Sequence, residues 1–418
     1  MKLAPADERY RISGAMTLMF EKEVFVYSLL LKKFSELQQC FPSQCRMIIP
    51  RCYFASNDYC KEALVLQNMT SEGYKPYVSN MFLDLDHVIV SLKSIATFHA
   101  LSFIVKSNDE DFFNKIANEC KPLSEKTNKR FMEILRDRLT KVIELFESTS
   151  YGCILQKMKI DCAKLIELVG DRGAVKDTVI CHGDIWKENI MFKYENNKPV
   201  SSCLLDYQTA RLSSPAFDFL YLITVSCDST IRRQHMQELI KIYHGFLSDI
   251  LLMSNSRVDH IYSLEDFQED LKAVAPACLI VANTALWLFS GLVIEGHVRS
   301  KHPYKNEEEK LKALNSQRIL VTFVRKGSTF GWHKKLATRP PGCGRAAVII
   351  DILVGLVTSI LVAAYYKRLF AHERLVMAEN RNAGEKEEGS GSAKPAHCII
   401  RRQFRAAEFR ALYCNAFV

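Results

Sequence analysis

The chain has 418 residues, of which 48% are hydrophobic and 25% charged, and its net charge is +9 at neutral pH. Such values fit a globular protein with a sizeable core, either one two-lobed domain or two domains. The positive balance sits from Lys301 onward, with 21 basic and 10 acidic residues, and is not laid out among aromatics on a folded face, which argues against nucleic acid as a partner. The fourteen cysteines form no C-x-x-C pair and no metal-ligand spacing, so reduced thiols in a cytoplasmic setting are expected rather than a disulfide framework. The opening MKLAPADERYRIS has no apolar core, and no secretory signal is expected there.

In chain order, Thr17 to Phe34 is dominated by helix-compatible apolar residues, with Glu21, Lys22 and Glu23 among them. Arg46 to Phe54 and Ala63 to Leu66 are expected as strands. Asp86 to Val105 predicts an amphipathic helix, with Val88, Leu92, Ile95, Ala96, His99, Ala100 and Phe103 at helical spacing. His99 lies on that apolar face and reads as a satisfied core histidine rather than a ligand. Two or three helices are expected between Asp109 and Leu168.

The chemistry concentrates in CHGDIWKENIMFKYENNKPVSSCLLDYQ, Cys181 to Gln208. Asp184 and Asn189 stand five apart, the D-x-x-x-x-N spacing of a kinase catalytic loop. Two apolar runs around Asn196-Asn197-Lys198-Pro199 predict a β-hairpin, which would bring Asp206 back to the mouth of that loop. Phosphoryl transfer needs an acceptor for the attacking hydroxyl's proton and hard oxygen ligands for Mg²⁺. Asp184 suits the first role; Asn189 and Asp206 suit the second.

Further on, Ala277 to Ile294 is uncharged over 18 residues. Pro276 opens it and Asn283, Thr284, Ser290 and Gly291 interrupt it, so a buried helix is expected rather than a membrane span. Ala346 to Tyr366 would extend about 31 Å as a helix, between Arg345 and Lys367-Arg368, and is the candidate transmembrane segment despite Asp351. Residues Glu379 to Pro395 read as disordered.

His182-Gly183-Asp184-Ile185-Trp186-Lys187-Glu188-Asn189-Ile190-Met191-Phe192, followed by Asp206-Tyr207-Gln208, resembles the signature of the CHK kinase-like (ecdysteroid kinase-like) family, related to choline kinases and aminoglycoside phosphotransferases. The resemblance covers roughly residues 1 to 300. It implies an α+β, two-lobed protein-kinase-like fold with a truncated N-terminal sheet lobe and a mainly helical C-terminal lobe. The corresponding division is 1–85 small lobe and hinge, 86–300 large lobe with the catalytic loop, 301–345 linker, 346–366 membrane helix and 367–418 basic tail. It implies ATP and Mg²⁺ as cofactors, and places Lys2 on the phosphates, held by Glu23 from a helix also carrying Phe20 and Tyr27. Gln67 to Met69 resembles the hinge that holds adenine. Asp218, with His182, would support the catalytic loop. Ile95 to Ser102 resembles the first large-lobe helix.

The expected function is therefore an ATP-dependent kinase that phosphorylates a hydroxyl of a small acceptor, an ecdysteroid-like or other alcohol, in a cytoplasmic domain with a candidate membrane anchor. Only Met1 precedes Lys2, so the glycine-rich loop of related kinases is not in the chain. That keeps open a membrane-associated pseudokinase or non-catalytic fragment. Choline- or aminoglycoside-type phosphorylation is the nearer alternative.

Overall fold

The computed structural model describes residues 1–4, 8, 11, 16–79, 82–121, 124–127, 129–146 and 150–289. The expected linker, membrane helix and tail at 301–418 lie outside the described residues, as do residues 290–294 of the apolar run.

The N-terminal part is a three-stranded antiparallel sheet in the order β1-β3-β2, from β1 (Lys2–Leu3), β2 (Cys52–Ser56) and β3 (Ala63–Leu66). Its registers pair Lys2 with Leu64 and Ala55 with Leu64. Helix α1 (Met16–Phe25) runs through a π-helical turn (Val26–Leu30) into α2 (Leu31–Leu37). Phe20, Tyr27, Leu30, Leu31 and Phe34 are its buried face. The strand expected from Arg46 begins only at Cys52. The backbone N–H and C=O of Met47 are taken by the Gln38 side chain at 3.0 and 3.1 Å, and Pro50 offers no N–H to a ladder.

A second sheet, β4-β6-β7, joins β4 (Lys75–Pro76) to the hairpin of β6 (Ile190–Glu195) and β7 (Lys198–Leu204). Asn196 and Asn197, at φ 49° and 62°, form the two-residue turn; asparagine tolerates this left-handed region, which matches the strands' twist. A short pair, β5 (Val179–Cys181) and β8 (Arg211–Ser213), sets Cys181 opposite Arg211.

The rest is helical: α3 (Leu85–Asn108), α4 (Glu110–Glu119), α5 (Lys129–Phe146), α6 (Ser150–Ile160), α7 (Cys162–Leu168), α8 (Pro215–Ser226), α9 (Ser229–Met253), α10 (Val258–Ile261) and α11 (Leu264–Phe289). Asp84 caps α3 by accepting from His87 N–H at 3.1 Å. Among the described residues α3 is the helix long and apolar enough to cross a membrane, but 83% of its apolar window is buried inside the protein. It packs against α9 and the hairpin, where Ser94 and Ser202 hydroxyls meet at 2.7 Å. The apolar run after Pro276 does not start a helix. It continues α11, which begins at Leu264 and carries Pro276 inside. Ser263 and Asp266 form the reciprocal N-terminal box: Asp266 N–H donates to Ser263 Oγ at 3.1 Å, and Ser263 N–H to Asp266 Oδ2 at 3.3 Å.

Candidate active site

The segment between β5 and β6 carries Asp184 and Asn189, and its shape is set by two backbone requirements. Gly183 has φ +85°, and a Cβ there would lie 2.2 Å from the Thr209 carbonyl oxygen, so only glycine fits. The N–H groups of His182 and Gly183 then both point at Asp218 on α8, at 2.6 and 3.0 Å. Ser214 caps α8, accepting from Ala216 N–H at 3.2 Å, with Pro215 following it. That start places Asp218, fully buried, under the loop. Burial alone would push the Asp218 carboxyl up. Hydrogen bonding and charge from His99, with His182 and the Gly183 N–H, instead hold it below the usual carboxylate range. His99 is fully buried between the Tyr243 hydroxyl at 2.7 Å and Asp218 at 3.2 Å. The His182 ring donates from Nε2 to the Leu205 carbonyl at 2.9 Å, tying the loop to the end of β7.

Two groups fix Asp184. The Tyr221 hydroxyl, one turn beyond Asp218 on α8, donates to Oδ1 at 2.8 Å. Asn189 Nδ2 donates to the Asp184 carbonyl at 2.8 Å and to Oδ2 at 3.3 Å. Burial raises the Asp184 carboxyl above its ordinary value, while the Tyr221 hydrogen bond pulls it back. With its Nδ2 committed inward, Asn189 keeps its amide oxygen as the acceptor.

Asp206 sits just past β7 at φ 66°, a left-handed conformation that aspartate tolerates. The Lys2 ammonium donates to Asp206 Oδ1, 204 positions away in sequence, at 2.9 Å, and also to Glu23 Oε2 at 2.5 Å and to Gln208 Oε1 at 3.3 Å. Glu23 is 2% exposed; its burial pushes the carboxyl up to about 7, against the pull of Lys2 and with the push of Asp206. Burial disfavours charge on Lys2, but Glu23 and Asp206 outweigh it and its pKa is raised.

The structure thus brings Lys2, Glu23 and Asp206 into direct contact, and Asp184 and Asn189 into another, with Asp184 and Asp206 within electrostatic reach of each other. Among the described residues, no hydrogen bond or ion pair joins Gln67 or Met69 to either group. The Gln67 side chain accepts from Arg51 N–H at 3.2 Å and donates to Glu72 at 2.9 Å. Met69 packs with Tyr74 and Cys203. Tyr221, Gln208 and Arg211 carry no role in the sequence reading. Tyr221 falls in the apolar stretch SSPAFDFLYLI, where only the packing of α8 shows that its hydroxyl faces Asp184.

A family model described as the ecdysteroid kinase-like family matches residues 1–256. The chain belongs to the ecdysteroid kinase-like family. Among curated proteins it is similar to "Uncharacterized oxidoreductase dhs-27" of Caenorhabditis elegans, at 23% identity over 252 residues. That alignment takes 58% of this chain and 28% of the relative, so the chain spans little more than a quarter of that protein's length. Among solved structures, Plasmodium vivax ethanolamine kinase is similar at 12% identity and TM-score 0.34, over 71% of this chain and 74% of that one. A Ralstonia eutropha protein described as a putative aminoglycoside phosphotransferase is similar at 12% identity and TM-score 0.34, over 75% and 84%.

Proposed function

We propose that this ecdysteroid kinase-like protein transfers the γ-phosphoryl of ATP to a hydroxyl of a small alcohol, an ecdysteroid-like molecule in the first instance. The observation that carries the reading is the Lys2 ammonium held between Glu23 and Asp206, at 2.5 and 2.9 Å, beside a loop whose Asp184 is oriented through both carboxylate oxygens. A lysine fixed by a helix glutamate is the group that grips nucleotide phosphates.

Asp184 accepts the acceptor's hydroxyl proton as its oxygen forms the new bond to phosphorus and the bond to the nucleoside diphosphate breaks. Its raised pKa suits a base that must take a proton and return it. The donors present fit Mg²⁺: the Asp206 carboxylate and the Asn189 amide oxygen are both hard oxygen ligands. Magnesium bound there would neutralise the phosphate charge. Lys2 holds the phosphates, and Glu23 keeps Lys2 from collapsing fully onto Asp206. The backbone of Gln67 to Met69 is the assignment for adenine. His182 and Asp218 position the loop without touching the reacting atoms.

The test is a phosphate-transfer assay of the full chain with MgATP against ecdysteroids, choline, ethanolamine and aminoglycosides. One acceptor should be phosphorylated by the native protein and not by Asp184→Asn. Equal background from both proteins on every acceptor would remove the enzymatic reading.

A further inference from the structure

Three oxygens share the Lys2 ammonium, one for each of its hydrogens: Glu23 Oε2 at 2.5 Å, Asp206 Oδ1 at 2.9 Å and Gln208 Oε1 at 3.3 Å. Two belong to carboxylates and the third to a neutral amide. Gln208 reaches Lys2 because of the two residues before it. Tyr207 is anchored inward, 1% exposed, with its ring 5.4 Å from that of Tyr27 and 4.6 Å from that of His182. Asp206 takes a left-handed φ of 66°, and the chain turns there so that the side chains of 206 and 208 both meet Lys2. The Ala210 N–H closes the turn on the Tyr207 carbonyl at 3.0 Å. Among the described residues the Gln208 side chain makes no other hydrogen bond, so no other part of the fold competes for its oxygen.

Charge explains why a neutral group suits this place. The two carboxylates already outweigh the single ammonium. A third would hold Lys2 more firmly to the protein and would face a polyphosphate with one more negative charge. An amide oxygen aims the ammonium without cancelling its charge. Lysine needs such aiming, because its charge is a point at the end of a flexible four-carbon stem. Glu23 supplies one hold from α1, and Gln208 a second from the loop after β7.

We infer that Gln208 is a positioning residue for Lys2, whose neutral oxygen keeps the ammonium aimed at the nucleotide phosphates when Asp206 is committed to the metal. The inference rests on the nucleotide reading above and adds a residue to it. In the ligand-free chain all three ammonium hydrogens are taken by protein oxygens. Once the Asp206 carboxylate serves magnesium, the hydrogen it held is the one free for a phosphate oxygen. Glu23 and Gln208 are then the two holds left on Lys2. With Glu23 alone, the stem would be free to swing about a single contact. Gln208 acts through Lys2 and touches no reacting atom.

The experiment is a double-mutant cycle on the full chain, read as the affinity for MgATP of the native protein, Gln208→Met, Lys2→Met and the double variant. Methionine keeps the length of glutamine and removes its oxygen. Gln208→Met should weaken MgATP binding about 10-fold in the native background, the loss of one hydrogen bond to a charged group. It should change nothing further once Lys2 is methionine, so the two losses should not add. A role in the fold alone predicts the same loss in both backgrounds, and that result, or full affinity in Gln208→Met, overturns the inference while leaving the nucleotide reading in place. A native chain that binds no MgATP removes both. Where Lys2→Met binds too weakly to measure, a crystal structure of the native chain with magnesium and a non-hydrolysable ATP analogue decides. Gln208 Oε1 at hydrogen-bond distance from the Lys2 ammonium supports the inference, and Gln208 turned away from it overturns it.

Discussion

One oxygen of the candidate base is held by a phenol, the other by the Asn189 amide. Tyr221 donates to Asp184 Oδ1 and lowers a pKa that burial has raised. Tyr221→Phe removes that donor, so the carboxyl pKa rises further and the deprotonated base is lost at a higher pH. The acid limb of the pH–rate profile should move up by about one pH unit, about 1.4 kcal/mol, with KM for ATP unchanged. A limb that stays in place would separate Tyr221 from the chemistry. Gly183→Ala tests the loop itself. Its left-handed backbone alone should cost roughly 1 to 3 kcal/mol, and the Cβ would also meet the Thr209 carbonyl, which is backbone and cannot turn aside. Urea unfolding should show at least that loss, and phosphate transfer should fall with it.

At this scale the Asp184–Asn189 pair was legible in the sequence, because five residues in one tight loop leave the two side chains close together. Tyr221 and Arg211 were not. Each sits in or beside an apolar stretch that reads as core, and only tertiary packing decides which way its polar tip points. Gln67 resembles an adenine contact through its backbone, and its side chain is turned to the Arg51 N–H and Glu72 instead.

At the level of elements, α8 does the positioning and α11 anchors α8. Asp270 on α11 is 1% exposed and accepts from the Ser214 hydroxyl at 2.7 Å, from the Tyr262 hydroxyl at 2.7 Å and from Lys176 N–H at 2.7 Å. Burial pushes its carboxyl up to about 6 from an ordinary 3.8, with those hydrogen bonds opposing. A carboxyl whose folded pKa is raised contributes most stability below its unfolded value, and loses it as pH rises through the folded one. Between pH 5 and pH 7 the native chain should therefore lose about 1 kcal/mol relative to Asp270→Asn. Paired urea denaturations at the two pH values measure it, and parallel curves would contradict it. The apolar run after Pro276 is buried helix as expected over its described residues, but that helix begins earlier, at Leu264. The Ser263–Asp266 box, ten to thirteen residues upstream, is the stronger start signal, and Pro276 is carried inside the helix. The hairpin was readable because Asn196-Asn197 names its own turn. The strand at Arg46 was not, because the Gln38 side chain, 9 positions before Met47, had claimed the Met47 backbone groups.

On the scale of the whole molecule, the site exists only where two distant stretches meet. Lys2 and Glu23 come from the N-terminal sheet and helix, and Asp206 from the end of the hairpin. No local pattern encodes that 204-residue closure; the resemblance to a family did. The central claim is that Asp206 and Asn189 hold a metal on a nucleotide whose phosphates Lys2 grips. Isothermal titration of ATP into the full chain, with and without Mg²⁺, tests it most directly when repeated on Asp206→Asn. The native protein should bind ATP markedly more tightly with Mg²⁺, and the variant should lose that gain. ATP affinity indifferent to Mg²⁺ in the native chain, or a Mg²⁺ gain that survives Asp206→Asn, would contradict the account.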